Sequence, residues 1–202
     1  LKIDDGSALE ADHAARAHGD AIGLPYISPY NDLDVIAGSA MIGREILAQA
    51  PQTDVIFVSV GGGGLLAGIA SAAKAIKPST QLVGCWPRNA DALYQVLVEG
   101  AVHPMPETAT LSDATMGGAE AGSVTIPICR SVLDSTVRVS ESDIRHAMQM
   151  IFVHTGQRVE GAAGVAMAGL CALADQFAGR SVVVVLCGGN IDPGEFVRVV
   201  GD

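Results

Sequence analysis

The sequence predicts an α/β fold built on an open, mostly parallel sheet with helices on both faces. Three observations carry that reading. Apolar runs of strand length alternate with stretches of helical periodicity. Two of the runs, DVIFVSV (54–60) and SVVVVLC (181–187), are almost continuous Val, Ile and Leu, the pattern of strands covered on both faces. The composition is 49% hydrophobic but only 4% aromatic, so small aliphatic side chains must fill the core of these 202 residues.

In chain order, residues 1–28 read as a separate piece: an acidic, Ala-rich helix from Ala8 to His18, then AIGLPYISP as a short strand and exit. Asn31 or Asp32 caps a helix carrying Val35, Ile36, Ile42, Ile46 and Leu47. Strand 54–60 comes next, then a helix from Leu65 to Ile76 and strand QLVGCW (81–86). The region from Pro87 to Pro127 is irregular, rich in Pro, Gly, Thr and Ser. Strand STVRVS (135–140) leads into a helix whose capping box is Ser140 and Asp143. That helix carries Ile144, Ala147, Met148, Ile151 and Phe152 and stops at Gly156. A small-residue helix runs from Ala162 to Phe177, and strand 181–187 completes the sheet.

Net charge is −10, which argues against a nucleic-acid partner, because phosphate backbones need a basic surface. No apolar run approaches the length of a membrane span, and no secretory signal opens the sequence. Cys85, Cys129, Cys171 and Cys187 include no Cys-x-x-Cys pair, and the five histidines show no metal-ligand spacing. Free thiols in a reducing cytoplasm are expected, and no zinc site. The first residue is Leu and the sequence begins as if inside an element, so a truncated or processed product is expected.

The strongest motif is Gly61-Gly62-Gly63-Gly64 between a strand and a helix. Without Cβ atoms, successive backbone N–H groups converge on an anion at the positive end of the following helix. A tight turn needs one glycine; four favour a phosphate. A nucleoside triphosphate loop requires Lys-Ser/Thr next, and Leu65-Leu66 stand there. Gly62-x-Gly64-x-x-Ala67 matches the looser dinucleotide pattern, but the next strand ends in Trp86-Pro87, not in an acid for the ribose. A small monophosphate cofactor fits better. A second cluster, Gly188-Gly189-Asn190, comes after the last strand and serves equally as a turn or as a second wall of the same site. Glu160 stands before a helix, where favourable charge at the helix start is enough to explain it. Asp113 reads as a turn or cap residue.

SPYNDLDVIAG, SVGGGGLLAGIA, TLSDA, VEGAAGVAMAGL and LCGGNID, in this order, resemble the serine/threonine dehydratases and serine racemases. These are pyridoxal-phosphate enzymes of the tryptophan-synthase-β fold type, and the likeness runs from about Ala8 to the end. It implies that 29–202 form the large, cofactor-binding domain and 1–28 a remnant of the small one. It implies pyridoxal 5′-phosphate as cofactor, held at its phosphate by the backbone N–H groups of Gly61, Gly62, Gly63, Gly64 and Leu65. Cys187 falls at the position that meets the pyridine nitrogen, where a neutral thiol makes the ring a weaker electron sink than a carboxylate would. Ala114 falls where the family usually has a Gly beside the ring, Tyr30 where the chain passes the site, and Glu160 near cofactor and substrate. The implied reaction is loss of water from a β-hydroxy amino acid such as threonine or serine, giving a 2-keto acid and ammonia. A homo-oligomer in full-length form, working in the cytoplasm, is implied as well.

The departures are equally specific. The family's Schiff-base lysine lies in a Ser-x-Lys-x-Arg-Gly-Ala type motif, and the lysines here are Lys2, Lys74 and Lys77, none in that setting. The 202 residues by themselves are therefore expected to be inactive. Some members carry a divalent cation on two acids; Trp86 and Ala92 stand at those places, with Asp91 adjacent but alone, so no metal is expected. Two other readings remain: a dinucleotide-binding oxidoreductase domain, and a non-catalytic module that keeps only the phosphate cradle.

Overall fold

The computed structural model describes residues 8–101, 108–117 and 119–201. Helix α1 (Ala8–Ile22) is followed by α2 (Leu33–Gln49), β1 (Val55–Ser59), α3 (Gly64–Ile76), β2 (Gln81–Pro87) and α4 (Ala92–Glu99). A 3-10 turn at Asp113–Thr115 precedes α5 (Thr125–Val132), β3 (Ser135–Val139), α6 (Glu141–Thr155) and α7 (Gly161–Leu173). A second 3-10 turn (Ala174–Phe177), β4 (Val182–Val184) and α8 (Pro193–Val200) complete the order. The four strands form one sheet in the order β3-β2-β1-β4, every neighbouring pair parallel. The expected fold class is the one found.

Strand alternation builds two cores. Ile56, Val58 and Val60 of the β1 segment face one way and pack with α2, α3, α4 and α5 residues such as Ile36, Leu66, Leu93 and Cys129. Val55 and Phe57 face the other way, onto Ile144, Met148, Ala163 and Phe196 of α6, α7 and α8. Each fully buried aliphatic side chain here is worth about 1.5–3 kcal/mol. Helix α7 is built of Gly and Ala because it lies close to the sheet: a Cβ on Gly169 would meet Cys85 Sγ at 2.5 Å.

This arrangement creates a crevice. From β1 the chain turns through α3 onto the first face; from β4 it turns through α8 onto the second. The loops leaving the carboxyl ends of these adjacent strands therefore diverge, which is where ligands sit on open parallel sheets.

Several expectations need correction. No strand forms at 21–29 among the described residues. Helix α1 runs on to Ile22, Gly23 ends it at φ 71°, and Pro25 removes a ladder donor from the segment beyond it. Three eight-residue helices, α4, α5 and α8, lie where irregular chain or nothing was expected. Asp32, not Asn31, caps α2, accepting from the N–H groups of Asp34 and Val35. The small-residue helix ends at Leu173 and tightens into the second 3-10 turn. Strand β4 is only three residues long and lies at the sheet edge, with Val182, Val183 and Val184 half-buried. Its sequence suits an internal strand, but no second neighbour is present among the described residues. No helix of the described residues is long and apolar enough to cross a membrane.

Candidate functional site

A cavity of about 430 Å3 opens at the carboxyl ends of β1 and β4. Gly61, Gly62, Gly63, Gly64 and Leu65 line one end of it. Ala114 and Thr115 from the first 3-10 turn, Tyr30 from the approach to α2, Glu160 at the start of α7, and Cys187 after β4 line the rest. Every site residue expected from the sequence thus borders one space, although they come from five separate segments.

The glycine loop is shaped by its surroundings. Gly63 sits at φ 92°, a left-handed conformation that L side chains rarely adopt, and it is the N-cap of α3. A Cβ on Gly62 would overlap the Tyr30 ring, and one on Gly64 would come within 2.8 Å of Tyr30 Cα. Having no side chain, Gly63 cannot cap α3. The first N–H groups of a helix have no intrahelical acceptor, so these remain for a ligand, at the positive end of the helix. No lysine, arginine or histidine lines the cavity among the described residues, so the donors it offers an anion are backbone N–H groups and uncharged side chains.

After β4 the Cys187 thiol lies 2.8 Å from the Ser59 hydroxyl. Burial pushes the Cys187 thiol up, while its bond to Ser59 acts in the opposite sense. A neutral thiol is therefore the form that faces the cavity at pH 7. Glu160 accepts a hydrogen bond from Asn190 N–H at 2.5 Å, and its own N–H donates to Gly188 O at 3.2 Å. Its carboxylate thus fixes the loop that carries Cys187, and it also borders a second cavity of about 430 Å3 with Asp113 and Asn190. Tyr30 is pushed up to about 12, chiefly by burial and then by Glu120, so its phenol stays protonated.

Residues 2–188 match the family described as pyridoxal-phosphate dependent enzyme. The chain belongs to that family. Among its relatives is phenylserine dehydratase of Ralstonia pickettii, 33% identical over 177 residues covering 87% of this chain and 54% of that protein. Serine racemase of Arabidopsis thaliana is 35% identical over 179 residues, 85% of this chain and 53% of the other. The processed form of threonine deaminase isoform 2 from Solanum lycopersicum superposes with a TM-score of 0.85 at 30% identity, over 92% of this chain and 54% of that one. The chain spans about half the length of the curated relatives it matches.

The residues present fit the family's cofactor, pyridoxal phosphate: an uncapped helix start behind a Cβ-free loop and a neutral thiol border one cavity. They do not supply its lysine. Lys74 pairs with Asp134 at 2.7 Å, and Lys77 donates to Thr53 O at 2.8 Å, both at the far end of α3 from the glycine loop. Lys2 lies outside the described residues. At the end of β2, Trp86 is fully buried, so that strand end presents nothing to a ribose. The Asp91 carboxylate binds Arg138 Nη1 at 2.8 Å and is buried. Among the described residues no group of three His, Cys, Asp or Glu side chains forms a metal site.

Ser59 and Thr125 are among the residues at the site that the sequence reading does not pick out. Ser59 has a visible signal, a polar residue at the carboxyl end of an otherwise apolar strand. Thr125, whose hydroxyl donates to Gly62 O at 2.8 Å, has none, because the contact spans 63 positions.

Proposed function

We propose that this chain is the cofactor-binding part of a pyridoxal-phosphate-dependent ammonia-lyase. Its substrate is a β-hydroxy amino acid such as threonine or serine, its products a 2-keto acid and ammonia, and the lysine is contributed from outside these 202 residues. The observation that carries the reading is that the glycine loop at the start of α3 and Cys187 line one cavity at the β1/β4 crevice. Residues 29–202 are read as the large domain and 1–28 as part of the small one. The similarity to dehydratases and a racemase, each about twice as long as the matched part, supports this.

Bound pyridoxal phosphate supplies an aldehyde that condenses with amines and a ring that draws electrons from the substrate Cα. The chain's own residues set how it does so. The N–H groups of Gly61 to Leu65 would hold its phosphate. The Cys187 thiol would serve as a neutral partner for the ring nitrogen, which would limit delocalisation into the ring and favour departure of a β-hydroxyl over transamination. Glu160 keeps the 188–190 loop in place, and Ala114 and Tyr30 line the space the cofactor would occupy.

The test is binding and trapping on the chain itself. Pyridoxal phosphate should bind and NADH should not, and borohydride should leave no pyridoxyl group on Lys2, Lys74 or Lys77. No keto acid should form from L-threonine or L-serine. Tight NADH binding without pyridoxal-phosphate binding would move the reading to an oxidoreductase domain. Keto-acid release by the chain alone would show that it needs no further lysine.

A further inference from the structure

We infer that Thr125 is a positioning residue for anion binding by the glycine loop, a reading that rests on this cavity being a pyridoxal-phosphate site. Thr125 opens α5 and is fully buried. Its hydroxyl donates to the carbonyl of Gly62 at 2.8 Å and lies 2.7 Å from the hydroxyl of Ser123. Thr125 has one proton and spends it on Gly62, so Ser123 is the donor in that second bond. Four positions along α5, the buried Cys129 thiol donates to the carbonyl of Gly63 at 3.7 Å. The Gly62 carbonyl is thus held toward α5, while the Gly63 carbonyl accepts both from Cys129 and, at 2.8 Å, from the Ala67 N–H of α3.

Peptide geometry turns this into an effect on the donors. Among the described residues there is no cis peptide. In a trans peptide the C=O and the following N–H point in opposite directions. Holding the Gly62 carbonyl onto α5 therefore turns the N–H group of Gly63 away from α5. The same glycines line the cavity. The back of the loop is closed as well: a Cβ on Gly63 would meet Leu93 at 2.7 Å, Cys129 at 3.1 Å and Thr125 at 3.2 Å. The loop is a Cβ-free segment with high intrinsic freedom, and a donor pinned from behind is ordered before the ligand arrives. Thr125 never touches the phosphate; it acts through the peptide it holds.

The experiment compares the 202-residue chain with Thr125→Val and Thr125→Ser, titrated calorimetrically with pyridoxine 5′-phosphate, pyridoxine and inorganic phosphate. Neither pyridoxine probe has an aldehyde, so lysine condensation plays no part. Thr125→Val keeps the shape and removes the hydroxyl. It is expected to weaken the phosphate ester about tenfold, the scale of one charge-assisted hydrogen bond, and to leave pyridoxine unchanged. Thr125→Ser is expected to bind the ester like the parent. Equal loss with both pyridoxine probes, no loss with either, or a Ser variant as weak as the Val variant would overturn the inference. If the parent binds phosphate but neither pyridoxine probe, the cofactor reading fails, and the Thr125 comparison is decided with phosphate alone. If it binds no phosphate-bearing probe, both fail.

Discussion

The Ser59 hydroxyl and the Cys187 thiol meet at 2.8 Å across the carboxyl ends of two adjacent parallel strands. Burial raises the Cys187 thiol, and the Ser59 bond offsets part of that rise. The Ser59 bond is the larger of the two lowering contributions, so Ser59→Ala should push the thiol further up. At one mildly alkaline pH the variant holds less thiolate, and alkylation of Cys187 should slow several-fold. The exposed Cys171 is the internal standard in the same digest. Peptide mass spectrometry reads both rates; an unchanged or faster Cys187 rate would show that the bond does not tune the thiol.

Gly62 and Tyr30 share one volume. A methyl group at Gly62 overlaps the ring of Tyr30, so Gly62→Ala must move the tyrosine or the loop. Overpacking of this kind costs about 1–3 kcal/mol. If the ring is the obstacle, Tyr30→Ala removes it, and the two substitutions should be strongly non-additive in chemical unfolding. Additive losses would place the strain in the backbone of the loop instead.

Much of this architecture is legible in the residues. The apolar runs at 54–60, 81–86, 135–140 and 181–187 mark all four strands, and the Ser140/Asp143 box is present in both its bonds. The short helices are harder to read. Pro127 sits at the third position of α5, where a proline reads as a breaker, yet the first turn tolerates it. Asp192-Pro193 is a proper cap with proline at N1, a helix start masked by the glycine cluster beside it. The lining of the site is readable only through ordered motifs, because Tyr30, Ala114, Glu160 and Cys187 lie far apart in sequence. The hydroxyl of Thr125 behind the loop is placed by packing alone.

Trp86 is fully buried, and its indole N–H has no partner among the described residues. An unmade bond of this kind carries a desolvation cost of about 1–3 kcal/mol. Trp86→Phe removes the donor and keeps a ring against Tyr94, now 5.7 Å away edge-on. The lost volume and the removed cost act against each other, so the net loss should be under about 1.5 kcal/mol, against about 3–5 for Trp86→Ala. Denaturant midpoints compare the two; equal losses would mean that the indole N–H is satisfied, by water for example.

Asp91 and Arg138 decide how the end of β2 responds to cations. The carboxylate takes the guanidinium at 2.8 Å and a weaker bond from Gln95 Nε2 at 3.3 Å, and Arg138 stacks 4.6 Å from the Tyr94 ring centre. A divalent ion would have to displace a fixed, paired cation from a single buried acid. Magnesium or calcium should therefore leave the melting temperature unchanged at constant ionic strength. A concentration-dependent rise would show an ion taking the carboxylate in preference to Arg138.

Stability should decline on the alkaline side through thiols that have no catalytic part. Cys129, buried behind the glycine loop, is pushed from 9.0 up to about 12 by burial, and Cys85 is raised further still by the same cause. A raised acid binds its proton more tightly in the folded chain than in the unfolded one. Below pH 9 both states are protonated and the contribution is complete. Between pH 9 and about 12 the unfolded thiol ionises first, so unfolding is favoured progressively as pH rises. Denaturant unfolding at a series of alkaline pH values under reducing conditions should show the midpoint falling across that window. Cys129→Ala should flatten part of the slope, at the expense of a lower plateau from the small cavity it leaves. An unaltered slope in that variant would assign the alkaline loss to other groups, Tyr30 first among them.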